Sequence, residues 1–393
     1  MKRLKKFWLN PSEAIFFLSV ILFIIGTVTI FSASFVLGAE SFNDSYFFVK
    51  RHLASFAVGV PFMYFLTKID YRRITLPWQM FILFLCLLFL ILVDIAGVEV
   101  NGAKRWLQLG PVSFQPSEVA KLVVVAISAF YLGEKVDRGK FVSLLSWPIG
   151  ILFLIGILVL KQPDMGTTVI IAGLGFFLYF LAGIPVKELA VLTVASGPAI
   201  FYLVHNAAYR AERIMAWRDP WAYQETSGYQ VVQSLLAIGS GGVGGLGLGI
   251  GASKFHYLPE AHTDFAFAVL CQELGFVGAL LVFILLGLFA WYGLKISLNA
   301  PDSHGTILAA GLTVLVVGQA VANIAMVSGI IPVTGVPMPF ISFGGTSLIV
   351  NMAAVGLLIN IGLRSIQKTS REIIAQTAAI RSDKRSQLRL LKK

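Results

Sequence analysis

Charged residues are scarce in this sequence, and their scarcity excludes a soluble globular protein. Only 13% of the 393 residues are charged and 57% are hydrophobic, whereas about 25% of an average soluble domain is charged. The mean hydropathy is +0.82. Because so little polar surface cannot cover a protein of this size in water, much of the chain must face lipid. The composition predicts one polytopic membrane domain.

Cysteine and histidine are also rare, with two and five residues in the whole chain. Cys86 and Cys271 lie in or beside apolar runs, without the spacing of metal ligands, so neither a disulfide framework nor a zinc site is expected. The net charge is +11. Its basic residues lie at the ends of apolar runs and in the tails, which indicates membrane anchoring and no nucleic-acid partner.

Long apolar runs predict an all-α polytopic fold of about ten transmembrane helices. The first run is too long for the core of a signal peptide, so we expect it to be a retained helix. The predicted spans are 14–37, 47–66, 77–95, 116–133, 143–160, 166–183, 189–205, 265–294, 306–330 and 344–363.

The distribution of lysine and arginine predicts that both termini are cytoplasmic. With that orientation, most basic residues lie in the head, in alternate loops and in the tail. The chain then divides into a basic cytoplasmic N-terminus (1–13), a transmembrane domain (14–363) and a basic cytoplasmic tail (364–393).

Two long segments contain basic residues although they are predicted to lie at the outer face of the membrane. They are 96–115 and the large loop 206–264 between predicted helices 7 and 8. A few outer cations occur in many membrane proteins, but a cluster suits anionic lipid headgroups or a diphosphate. Long loops are often functional, so we expect the chemistry at the outer face. The cations at this face are Lys104, Arg105, Lys161, Arg210, Arg213, Arg218 and Lys254.

Two ionisable motifs lie at the predicted outer boundary. In YLPEAHTDF (257–265), Thr263 or Asp264 precedes an apolar run. Either residue suits a helix N-cap, and a half-buried Asp264 also suits a general base. In QPSEVAKL (115–122), Glu118 and Lys121 share one helical face. They form either a self-contained ion pair or part of a functional site, since charges in a span are costly.

Further segments suggest a substrate site between helices. Trp106 beside two cations suits a phosphate headgroup or an interfacial anchor, and Asp164 suits a helix cap. The Pro- and Gly-rich stretch 331–348 predicts broken backbone buried in protein or lining a cavity. Gln319 and Asn323 share a helical face just before it. The glycine tract 238–251 lacks a βαβ context, so we interpret it as flexible backbone over a substrate and not as a dinucleotide loop.

Taken together, these motifs resemble the SEDS family (shape, elongation, division and sporulation), which includes FtsW and RodA. The resemblance covers nearly the whole chain, to about residue 365. The Glu-Ala-His-Thr-Asp run is similar to FtsW, whereas PVTGVPMPF is shared with RodA-like proteins; we favour FtsW. The matching segments are NGAKRWLQLGPVSFQPSEVAKL, QPDMGT, GYQVVQSLLAIGSGG, YLPEAHTDFAFAVLCQELG and PVTGVPMPFISFGGTSL.

The resemblance implies a peptidoglycan glycosyltransferase that polymerises lipid II outside the bacterial cytoplasmic membrane, at the division septum for FtsW. It implies a class B penicillin-binding protein transpeptidase as partner, together with other division proteins and membrane lipids. The family's essential aspartate falls on Asp264, its acid–base pair on Glu118 and Lys121, and its loop tryptophan on Trp106. As substrate-binding residues we add Lys104, Arg105, Arg210, Arg213, His262 and Ser342.

Alternatives to this prediction belong to other functional classes. Broken helices and intramembrane charges also suit a lipid II flippase or transporter, and a non-catalytic division scaffold is a third hypothesis. Within the family, a RodA-like elongation polymerase is the alternative. A divalent cation, Mg²⁺ or Mn²⁺, is an open expectation, and Asp264 is then the expected ligand.

Overall fold

The computed structural model describes residues 10–100, 102–110, 112–144, 146–188, 190–191, 194, 208–249, 251 and 257–390, and these are mostly helical. The predicted span 189–205 lies largely outside the described residues, and each other predicted span corresponds to a helix. The helices are α1 Pro11–Phe42, α2 Phe47–Lys68, α3 Leu76–Ala96, α4 Pro116–Asp137, α5 Trp147–Lys161, α6 Met165–Leu181, α7 Ala208–Arg218, α8 Tyr229–Ser240, α9 Ala266–Leu298, α10 Ser303–Val327 and α11 Gly345–Leu390.

Helix length and composition agree with a multi-pass membrane protein. Among the described residues, five helical stretches are long and apolar enough to span a bilayer: α1, α3, α9, α10 and the Gly345–Lys368 part of α11. Helices α5 and α6 are apolar but shorter. Large apolar side chains such as Phe276 and Trp291 on α9 are more than 60% exposed. In a lipid environment such side chains are favourably placed, whereas in water they would be a liability.

Helix α10 lies at the centre of the bundle, where it contacts α4, α6, α9 and α11. Helix α11 packs along α2 and α1 on the other side. Small residues allow close approach: a side chain at Gly311 of α10 would collide with Leu178 and Val125. The centre of the bundle is therefore closed by interhelical packing of the kind that membrane helices use.

The two long segments that were predicted at the outer face are more structured than expected. Segment 96–115 forms a small antiparallel sheet of β1 Val98–Val100, β2 Ala103–Leu109 and β3 Val112–Phe114, in the order β1-β2-β3. The second segment, 206–264, contains α7 and α8. The sequence did not predict these strands and helices, because short elements that contain many polar residues give only a weak hydrophobic periodicity.

The glycine tract was expected to be flexible, and the structure instead ties its described part to a break in α9. The break is at Gly275, whose φ of 63° and ψ of −160° are not helical. The Phe276 N–H donates to the Gly242 carbonyl at 2.9 Å, and the Gly247 N–H donates to the Glu273 carbonyl at 3.0 Å. A Cβ at Gly245 would lie only 2.0 Å from that Glu273 carbonyl. Glycine is required here for close backbone approach.

The Pro- and Gly-rich segment between α10 and α11 is non-helical and largely buried, as predicted. Residues 338–342 are buried against α1, where a Cβ on Gly26 would meet the Phe340 carbonyl. Irregular backbone at membrane depth is tolerated when protein surrounds it. We call residues 331–343 the re-entrant segment.

Candidate active site

Asp264 lies in the turn immediately before α9, at the end of the bundle where α4, α6 and the re-entrant segment also begin or end. Its backbone carbonyl accepts a hydrogen bond from Asn323 Nδ2 at 2.7 Å. Its side chain is partly buried, and no hydrogen bond among the described residues engages its carboxylate. The backbone of Asp264 is therefore held in place, while its carboxylate oxygens make no hydrogen bond within the described part of the chain.

The structure does not support the helix-cap interpretation of this motif. The residue at the N-cap position of α9 is Phe265, which makes no side-chain capping bond. The Thr263 hydroxyl donates to Glu260 Oε2 at 2.7 Å instead. Neither Thr263 nor Asp264 thus serves the helix terminus, although both residue types are frequent caps.

The pKa of the Asp264 carboxyl is raised to about 7, first by burial and second by the neighbouring Glu260 carboxylate. Arg105 and Arg213 lower the pKa, while Asp164 adds to the increase. Desolvation disfavours the charged carboxylate, and this effect outweighs the two arginines. A carboxyl group that titrates near neutral pH is well matched to general-base work.

The guanidinium group of Arg105, on β2, and the carboxylate of Asp264 both lie near Gly335. Its Nε donates to the Gln162 carbonyl at 3.2 Å, and its Nη2 donates to the Pro163 carbonyl. Its Nη1 lies 3.8 Å from the Cβ position of Gly335, and Asp264 Oδ2 lies 3.5 Å from that position. A carboxylate and a guanidinium therefore flank the space above Gly335.

Asp164 caps α6, as predicted, by accepting from the Thr167 N–H at 3.1 Å. Its other oxygen faces Gln115 Nε2 and Ser117 Oγ, each at 3.4 Å. Asp164 and Ser117 are 1% and 0% exposed. Because Asp164 also acts electrostatically on Asp264, it belongs to the site as well as to the helix terminus.

Glu118 and Lys121 form the predicted ion pair on α4, with 2.8 Å between Lys121 Nζ and Glu118 Oε1. The pair is not self-contained, because Lys121 Nζ also donates to Gln319 Oε1 of α10 at 2.6 Å. Both charged residues are almost completely buried. Among the described residues, no hydrogen bond or ion pair joins this pair directly to Asp264.

The remaining predicted cations lie around this site to different extents. Lys104 is exposed on β2, next to the partly buried Arg105 and Trp106. Arg213 of α7 donates from Nη1 to the Val333 carbonyl of the re-entrant segment at 3.4 Å. Arg210 lies on the same helix, but its side chain is outside the described part of the chain.

His262 and Ser342, predicted to bind substrate, both have partners within the protein. The His262 ring is buried beside Phe48 and Phe343, with centroids 4.3 and 5.8 Å away. Burial lowers the pKa of its imidazole, so it adds no positive charge for a phosphate near neutral pH. The buried Ser342 Oγ accepts from the Met338 N–H at 2.9 Å. Substrate binding by either residue stays a prediction.

Two residues at the site and one buried acid elsewhere in α9 were not predicted as functional. Gly335 lies between Asp264 and Arg105, and Asn323 binds the Asp264 carbonyl. Glu273 is buried inside α9, where its Oε1 accepts from Ser32 Oγ and from the Gly249 N–H. An acid inside an apolar span was the available signal for Glu273, whereas the position of Gly335 depends on tertiary packing.

The described residues contain no group of three His, Cys, Asp or Glu side chains that could hold a metal ion. A divalent cation held by one or two carboxylates together with a substrate diphosphate needs no such group. The expectation of Mg²⁺ or Mn²⁺, with Asp264 as its ligand, therefore stays a prediction.

Comparison with known proteins identifies the family. The FtsW/RodA/SpoVE family model, described as "cell cycle protein", matches residues 12–367. Stage V sporulation protein E of Bacillus subtilis is 38% identical over 90% of this chain and 97% of its own length. The probable peptidoglycan glycosyltransferase FtsW of Geobacter metallireducens is 37% identical over 89% of this chain and 94% of its own.

Solved structures agree with these relationships. A chain of a peptidoglycan synthase complex, described as coordinating polymerization and crosslinking, has a TM-score of 0.74 and 27% identity, covering 92% of this chain and 100% of that one. The crystal structure of Thermus thermophilus rod shape determining protein RodA has a TM-score of 0.63 and 26% identity, covering 88% and 95%. The chain belongs to the FtsW/RodA/SpoVE family of membrane proteins.

Proposed function

We propose that this protein is a peptidoglycan glycosyltransferase that polymerises lipid II into β-1,4-linked glycan strands. The observation that carries the proposal is the half-buried Asp264 carboxylate, which faces Arg105 across Gly335. Transfer of a glycosyl group from a diphosphate requires a general base for the acceptor hydroxyl and a positive charge for the leaving group, both beside the same space. The names of the FtsW relatives support the same activity.

In the reaction that we propose, Asp264 accepts the proton from the 4-hydroxyl of the acceptor GlcNAc. The acceptor oxygen forms a bond to the anomeric carbon of the donor, and the bond from that carbon to the diphosphate oxygen breaks. The electron pair leaves with undecaprenyl diphosphate, and attack from the opposite face inverts the anomeric centre. A carboxyl whose pKa is near 7 is half ionised at neutral pH and is still basic enough to assist.

The leaving diphosphate needs positive charge, which Arg105 is well placed to supply. Two of its nitrogens are held by the carbonyls of residues 162 and 163, so Nη1 is oriented before substrate binds. Preoriented charge costs no reorganisation during the reaction, which makes it effective. The proposed diphosphate site contains two further cations, the exposed Lys104 and Arg213, which also acts on the Asp264 carboxyl. Arg210 and Trp106 are the remaining residues that we propose to bind substrate there.

We further propose a role in division, with a class B penicillin-binding protein as partner, at the septum of the cytoplasmic membrane. Relatives named FtsW and a sporulation protein support this role. The similar chain from a synthase complex that couples polymerization and crosslinking supports a transpeptidase partner. Glu260, Arg105, Asp164 and Arg213 all act electrostatically on the Asp264 carboxyl at one end of the bundle, which favours an enzyme over a transporter with a conduit through the midplane.

The test is a polymerisation assay on the protein purified with its transpeptidase. Labelled lipid II is added, and wild type, Asp264→Asn and the control Asp302→Asn are compared by gel. Asp302 is bonded to Tyr71 and Arg72 at the other end of the bundle. We expect glycan ladders from wild type and the control, and none from Asp264→Asn.

Other outcomes would redirect the assignment. A folded wild-type complex without ladders would favour the flippase or scaffold hypothesis, and lipid II movement across vesicles would then separate those two. Equal ladders from wild type and Asp264→Asn would remove Asp264 from the role of base.

A further inference from the structure

We infer that Asn323 and Gln319 of α10 are positioning residues for glycosyl transfer, which hold the Asp264 turn and the re-entrant segment in a fixed relation. This inference rests on the proposed function. Neither residue faces the space above Gly335, so both would act through backbone that they bind.

Asn323 joins the two segments that form the site. Its Nδ2 donates to the Asp264 carbonyl and to the Val336 carbonyl, each at 2.7 Å. Val336 follows Gly335, whose Cβ position lies between Asp264 and Arg105. One amide group therefore fixes the backbone of the proposed base and the backbone of the surface opposite it. Asn323 is 0% exposed, so water does not replace these bonds.

Gln319 extends this connection to the buried ion pair. It lies four residues before Asn323, on the same face of α10. Its Nε2 donates to the Pro337 carbonyl at 2.8 Å, and its Oε1 accepts from Lys121 Nζ at 2.6 Å. The pair Glu118–Lys121, which has no direct contact with Asp264 among the described residues, thus reaches the re-entrant segment through one side chain.

Ordinary helix–helix hydrogen bonding describes the bond from Lys121 to Gln319, but it does not describe the bonds that the two amide groups donate. The amide groups of Asn323 and Gln319 donate to carbonyls of non-helical backbone, in the turn before α9 and in the re-entrant segment. Such segments lack the internal hydrogen bonds of a helix, so side chains decide where they lie. Their separation sets the geometry of the reaction, and a misplacement of about 1 Å can cost about 100-fold in rate.

The structure provides a matched control in Asn360 of α11. It is also 0% exposed, and its Nδ2 donates to the carbonyls of Leu66, Thr67 and Ile69 at 2.6–3.0 Å. These carbonyls lie at the end of α2, away from Asp264. Asn360→Ala therefore removes a comparable set of hydrogen bonds from the C-terminal turn of α2, without touching the site.

The experiment compares wild type, Asn323→Ala, Gln319→Met and Asn360→Ala in complex with the transpeptidase. Initial rates of lipid II polymerisation are measured against substrate concentration and pH, and melting temperature is measured in parallel. We expect Asn323→Ala to lower kcat about 10- to 100-fold with a smaller change in KM. We also expect the midpoint of its pH–rate profile to move to lower pH, because a loosened turn admits water to the carboxyl that Glu260, Asp164, Arg105 and Arg213 surround.

Gln319→Met conserves volume, so it tests the same connection with less risk to folding, and a lower kcat is expected for it too. Asn360→Ala is expected to lose stability but to keep the wild-type pH midpoint. If Asn323→Ala and Asn360→Ala change rate and midpoint alike, the positioning role is overturned. If Asn323→Ala does not fold, wild-type kcat and midpoint in Gln319→Met overturn it instead. An inactive wild type would refute the proposed function itself, which is a distinguishable result.

Discussion

Asp264→Asn should abolish polymerisation and, above neutral pH, make the protein more stable. The pKa of the wild-type carboxyl rises from 3.8 to about 7 on folding. The folded state therefore binds more protons at Asp264 than the unfolded state does between these values. The contribution of Asp264 to stability is fully present below about pH 4 and is lost as the pH rises through 7. An ion-paired carboxylate has the opposite pH dependence, because it stabilises the folded state more as the pH rises.

The magnitude follows from the shift. One pKa unit corresponds to about 1.4 kcal/mol, so ionised Asp264 costs the folded state about 4 kcal/mol above pH 7. This figure is an upper limit, because the carboxylate is partly exposed and solvent screens it. Asparagine keeps the shape and carries no charge. The stability gain of the variant should be near zero at pH 4 and reach a few kcal/mol at pH 8.

The assay is thermal denaturation in detergent at pH 4, 6 and 8, with polymerisation measured on the same samples. Asp302→Asn is the control, because Asp302 accepts from Tyr71 at 2.9 Å and pairs with Arg72 at 3.1 Å. Removing the charge of Asp302 relieves no desolvation penalty. The Asp302→Asn variant should therefore not become more stable than wild type as the pH rises. An Asp264→Asn variant that is less stable than wild type at pH 8 would refute the burial argument, whatever its activity.

Two further predictions test other parts of the site. Lys121→Met should lower the free energy of unfolding by about 3–5 kcal/mol, because it leaves Glu118 charged and unpaired in a buried position. The double variant Glu118→Gln/Lys121→Met should recover most of that loss in denaturation experiments. Equal stability of the single and double variants would contradict this prediction. Gly335→Ala should reduce polymerisation, because its methyl group would fill the space between Asp264 Oδ2 at 3.5 Å and Arg105 Nη1 at 3.8 Å, where we propose that the substrate reacts. Gly183→Ala, at a similar positive φ with no described atom within 4 Å of the added Cβ, should cost only backbone strain of about 1 kcal/mol and keep activity.

The sequence by itself determined the helical membrane fold, and it predicted which residues carry chemistry at one boundary of the membrane. Apolar runs predict helices because a bilayer leaves the backbone few other ways to satisfy its hydrogen bonds. The family motifs located Asp264 and the pair Glu118–Lys121, and the prolines and glycines of 331–348 predicted a broken, buried segment. These features are encoded locally, so they can be read without knowing which helices touch. The cytoplasmic placement of both termini stays a prediction.

Only the tertiary structure decided which groups face one another. Asp264 and Arg105 are far apart in the chain, and they meet at Gly335 because α9, β2 and the re-entrant segment converge at one end of the bundle. The same packing buried His262 among aromatic rings and tied the glycine tract to the break in α9. It also connected Lys121 to the re-entrant segment through Gln319. Desolvation and long-range contacts determine these properties, and both depend on neighbours that are distant in sequence.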